Sequence, residues 1–102
     1  MHVVLYIGDG TFSGPGQYEL RAPPLGVPHK FIIFLRQTSA ALDFPVALDE
    51  AQRFGFRVVT FVKGGLIQPE SLNSMPEFGV FYEEALSAGH SLIWYPNAVS
   101  PA

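Results

Sequence analysis

A chain of 102 residues is the usual size of one domain, and with 48% of them apolar it supports one core and not two. Charged residues reach only 15%, against roughly a quarter in an average soluble domain, and a net charge of −3 with no basic cluster disfavours sequence-nonspecific nucleic-acid binding. Cysteine is absent, which excludes disulfide scaffolds, thiolate metal sites and cysteine nucleophiles together.

The opening MHVVLYIGDG carries an apolar run of five residues with no basic stretch before it. That is too short for a membrane span and unlike a signal peptide, so it predicts a strand over 2–7 and a cytoplasmic location. GDGTFSGPG (8–16) holds four glycines and reads as a loop. QYELRA (17–22) alternates and predicts a strand, which PPLGVP (23–28) ends because its three prolines remove backbone donors.

HKFIIFLRQ (29–37) is the strongest strand, since its five consecutive apolar residues fill both faces of the pleat. Pro45 in a first turn, then Val46, Leu48, Ala51 and Phe54, then Gly55 as a left-handed stop, outline a helix over 44–54. FRVVTFV (56–62) is another two-faced strand, closed by Lys63, Gly64 and Gly65. Ser74 and Glu77 match a capping box, and Phe78, Phe81, Tyr82, Ala85 and Leu86 form one apolar helical face ending at Gly89. SLIWY (91–95) is the last strand, so one domain spans 1–95 and the proline-containing residues 96–102 form a tail.

Residues 44–61 and 78–95 echo each other at an offset of 34, with five identities in eighteen positions: Phe44/Phe78, Val46/Val80, Glu50/Glu84, Ala51/Ala85 and Gly55/Gly89. Either the chain carries a duplicated helix-strand unit, or two helices that end in Gly and feed buried strands have converged on one pattern.

These elements predict a small single-domain α+β fold, a mixed sheet with an N-terminal β-hairpin and two short helices on one face. A small curved β-barrel decorated by two helices is the alternative. The glycine-rich loop lacks the G-x-G-x-x-G phase and the Gly-Lys-Ser/Thr ending of phosphate-binding loops, so it reads as a plain connection. Histidines at strand mouths make Asp9, Gly10, His29 and His90 the ligand-binding candidates. No two histidines have ligand spacing, so no metal or cofactor is expected, and Glu50 and Glu84 read as solvated helix residues.

Two short helices leave sheet area uncovered, which makes Phe31, Ile33, Trp94 and Tyr95 the interface candidates and favours a homo-oligomer, a dimer first. The functional expectation is a non-enzymatic protein-protein interaction or self-assembly module with no membrane partner. A regulatory ligand-binding domain, or a small enzyme using a histidine and a helix carboxylate, are the alternatives.

Overall fold

The computed structural model describes residues 1–98. Strands β1 (His2–Phe12) and β2 (Pro28–Gln37) pair antiparallel at the centre of a four-stranded sheet. Helix α1 (Phe44–Arg53) leads to β3 (Phe56–Leu66), which pairs with β1, and helix α2 (Gly79–Ala88) leads to β4 (His90–Ala98), which pairs with β2. The order is β3-β1-β2-β4, open at both edges. The expected α+β class is present; the sheet is antiparallel throughout, neither mixed nor a closed barrel.

The two helices lie on opposite faces, which corrects the expectation that both share one. Ala47 and Ala51 of α1 pack with Tyr6, Phe31, Ile33, Leu35 and Leu92, whereas Ala85 of α2 packs with Val3, Ile32 and Phe34. The right-handed crossover rule governs parallel connections, and it applies to β2-α1-β3. β3 and β4 run antiparallel, so the rule leaves α2 free to cross the other face. The apolar residues of β2 on that face require it to do so.

Local sequence explains the helix ends. The Asp43 carboxylate accepts from the Val46 amide, Pro45 sits in the first turn, and Gly55 follows the helix at φ 104°. Gly89 caps α2 at φ 97°. The capping box does not form: Ser74 Oγ donates to the Ser71 carbonyl, and Pro76 opens a short 3₁₀ turn before α2. Tyr6, fully enclosed, donates to Gln37 Oε1 and accepts from the Asp43 amide at 2.9 Å, tying the central hairpin to the start of α1.

Three strands run further than their sequences suggest. β1 continues through Gly8 and Gly10, where a Cβ would come within 2.4 Å of the Thr60 carbonyl oxygen or 3.1 Å of Phe31 and Val59. These glycines mark the close approach of a neighbouring strand and not a loop. β3 continues through Gly64 and Gly65, and β4 through Pro96 to Ala98. Residues 99–102 of the expected tail lie outside the described residues. Residues 17–22 form no strand; they belong to an irregular connection that the backbone ties down at Tyr18 N to Arg53 O, 3.0 Å.

Gly55 and Gly89 share a left-handed conformation but not a neighbourhood. A Cβ at Gly55 would lie 2.2 Å from the Gly14 carbonyl oxygen, while at Gly89 the nearest atom is 3.6 Å away. Gly89→Ala is expected to cost roughly 1–2 kcal/mol through backbone strain alone. Gly55→Ala is expected to cost a further ~1–3 kcal/mol for the steric overlap. Urea denaturation of the two variants checks the difference.

Candidate functional site

Gly10 and His29 are directly opposed across β1 and β2, and Asp9, opposite Lys30, occupies the other face of the sheet. His90 pairs with Leu35 of β2 and His29 with Ala98 of β4, so six residues of β2 separate the two positions. His29 and His90 therefore do not converge. Among the described residues no group of three or more His, Asp or Glu side chains is placed to hold a metal.

His29 is buried, its Nδ1 donating to the Tyr95 carbonyl at 2.9 Å and its ring meeting Trp94 edge-on at 5.3 Å. Its Nε2 has no hydrogen-bond partner among the described residues. His90 stacks on Tyr18 with ring centroids 3.7 Å apart and planes 15° from parallel, and Phe54 meets it edge-on at 5.6 Å. Both imidazoles are thus held by aromatic rings, and no hydrogen bond joins either of them to a carboxylate among the described residues.

Of the interface candidates, Phe31 and Ile33 are wholly enclosed within the chain and present nothing to a partner. Tyr95 packs on the α2 side of the sheet, and Trp94 packs on the α1 side. Trp94 also donates its indole N–H to the Arg21 carbonyl at 2.7 Å, which pins the connection before β2 beside β4. Gly16 makes that path possible, because a Cβ there would lie 2.1 Å from the Arg53 carbonyl oxygen.

The connection leaves a cleft of about 490 Å³ bounded by Glu19, Leu20 and Arg21 on one side and by Phe81 and Glu84 of α2 on the other. Leu92 and Trp94 line it together with Ile93. Neighbouring residues of a strand point to opposite faces, so a hollow touching both sets lies over the outer edge of β4. Its floor is a strand edge with no strand partner among the described residues. A second open hollow of about 690 Å³ continues from it, sharing Glu19, Leu20, Arg21, Phe54 and Glu84 and adding Tyr18.

The sequence reading missed Glu19, Leu20, Arg21, Phe54, Phe81 and Glu84 as site residues. The available signal was the bracketing of 17–22 by Gly14-Pro15-Gly16 and Pro23-Pro24, which isolates that segment from any hairpin.

Charge around the cleft is mainly acidic, with Glu19 and Glu84 in both walls against Arg21. In the second hollow, burial raises the Tyr18 phenol above its ordinary value, the nearby Glu50 carboxylate raises it further, and Arg53 opposes both. Arg53 is itself held above its usual range by the Tyr18 hydroxyl and then by Asp49, with which it pairs at 2.9 Å. Glu50 Oε2 is buried and has no hydrogen-bond partner among the described residues.

No protein-family model, curated protein or solved structure matches the chain.

A phenol raised in the folded state favours the neutral form, so its contribution to stability is complete below the ordinary value of 10.0 and is lost as pH rises above it. Spectrophotometric titration is expected to show Tyr18 ionising above 10.0. Tyr18→Phe is expected to remove that amplitude and to reduce the alkaline loss of stability to the part that the buried Tyr6 phenol, raised by its burial, still carries.

Proposed function

We propose that the protein is a non-enzymatic interaction module that receives an extended peptide segment along the outer edge of β4. The observation that supports this reading is the shape of the cleft: its walls come from both sides of the sheet and its floor is an unpaired strand edge. Strand addition uses such an edge, because main-chain hydrogen bonds supply affinity and alternate side chains enter flanking pockets. The six residues His90–Tyr95 offer about 20 Å of edge before Pro96 removes a backbone donor.

The lining fits a protein partner better than a small metabolite. Small-molecule sites are enclosed and bury most of their ligand, whereas this cleft is about half open to solvent. Phe54, Phe81 and Trp94 line it together with Glu19, Arg21 and Glu84, a mixture of aromatic and charged side chains that protein interfaces share. The interaction surface is thereby moved from the sheet faces, which α1 and α2 cover, to a sheet edge.

Trp94 is the only tryptophan and reports on the cleft directly. Selection from a displayed random-peptide library is expected to enrich segments with alternating apolar residues. Titration of those peptides should shift Trp94 emission and slow hydrogen exchange of the amides in 90–95. Enriched peptides that leave both signals unchanged, or no enrichment at all, would overturn the reading.

A further inference from the structure

We infer that the cleft along β4 takes the β3 edge of a second copy of this chain, joining copies head to tail. This rests on the cleft reading above and names its occupant.

β3 is the opposite edge of the sheet, and its charges are complementary to the cleft. Its eleven residues include Arg57 and Lys63 and no carboxylate. Neither cation forms an ion pair among the described residues, where the Arg53–Asp49 bridge is the one found. The cleft presents Glu19 and Glu84 against the single cation Arg21, a net negative lining.

β3 also carries apolar side chains with nothing over them. Its pairing with β1 slips twice, between Ile7 and Gly8 and between Asp9 and Thr11, and at each slip β3 holds one residue more than β1. Val62 lies within the first slip and Val58 within the second, and they are 67% and 84% exposed. Val58 has φ 53°, a left-handed conformation that a β-branched residue rarely adopts.

Symmetric pairing of either edge with itself meets like charge. Two β3 strands paired antiparallel about Thr60 would set Arg57 against Lys63 twice, and like charges directly opposed destabilise a strand pair. Two β4 edges would bring together two clefts that each hold Glu19 and Glu84 against the one cation Arg21, a net negative pair. β3 against β4 sets cations against carboxylates instead.

Strand direction agrees. Every neighbouring pair in the order β3-β1-β2-β4 is antiparallel, so a second copy in the same orientation presents its β3 antiparallel to the first copy's β4. The ladder continues without reversal. Such a heterologous contact does not stop at two copies; it grows into a filament or closes into a ring.

Light scattering on a size-exclusion column tests this with two charge-reversed variants, Arg57→Glu/Lys63→Glu and Glu19→Lys/Glu84→Lys, after their thermal midpoints are matched to the wild type. The wild-type mass is expected to pass two chains as concentration rises and to fall with added salt. Each variant alone should stay at the 11.2 kDa of one chain, and an equimolar mixture of the two should recover assembly. A wild type held at one chain, a mass that stops at two, or a mixture that fails to assemble would overturn the inference. A monomeric wild type whose Trp94 still responds to selected peptides removes only the second copy as occupant; a chain that neither assembles nor takes up peptide removes the cleft reading as well.

Discussion

Burial of β2 on both of its faces is the constraint from which the rest of the architecture follows. Residues Phe31 to Leu35 are five consecutive side chains none of which is more than 6% exposed, and they alternate between two separate cores. A strand with that pattern is unstable wherever one face meets water. Each helix has ten residues, about 15 Å of length, so the chain can cover both faces only by giving one helix to each. Assigning a single helix to each face leaves none for the edges. On the α1 side the remaining area next to β4 is covered by Tyr18 and Leu20 of the connection between β1 and β2.

What was legible in the sequence was the set of features with local causes. α1 is bounded by Asp43, Pro45 and Gly55, and α2 ends at Gly89, because caps and left-handed stops depend on one or two residues. The strand at β2 was legible from its own composition. What was not legible depended on partners distant in the chain. Gly8 and Gly10 look like loop residues until Thr60, Phe31 and Val59 are seen to occupy the space where their side chains would be. QYELRA alternates like a strand, yet it is held by the Arg53 carbonyl and the Trp94 indole and enters no ladder. His29 and His90 both stand near strand ends, but antiparallel pairing sends those ends in opposite directions. The cleft was the least legible feature because its walls come from three separated segments, and Trp94 is the one lining residue that the sequence marks as a site candidate.

The echo between 44–61 and 78–95 survives in detail and not in arrangement. Ala51 and Ala85 are both fully buried, Val46 and Val80 are both exposed, and Gly55 and Gly89 both adopt positive φ. The two helix-strand units nevertheless meet the sheet in opposite hands. β3 has α1 on one face and β1 at its side; β4 runs the other way, with α2 on the other face and β2 at the opposite side. Reversing side, direction and face together is an inversion, which no rotation reproduces. The shared residues are those that a helix ending in Gly and feeding a buried strand requires in either hand.

An open antiparallel sheet with two exposed edges is prone to uncontrolled pairing, and here each edge carries a device that limits it. On β3 the register slips at Val58 and Val62 break the regular ladder into short stretches, since a bulge twists the strand and displaces its hydrogen-bonding groups. On β4, Pro96 interrupts the row of donors, and the walls formed by Leu20, Arg21, Phe81 and Glu84 narrow the approach. These devices shorten the usable edge without closing it. Phe54 and Trp94 belong to the α1-side core and Phe81 to the α2-side core, so the same rings that fill the two cores also flank the edge. The proposed strand-accepting role uses the stretch of edge that these devices leave open.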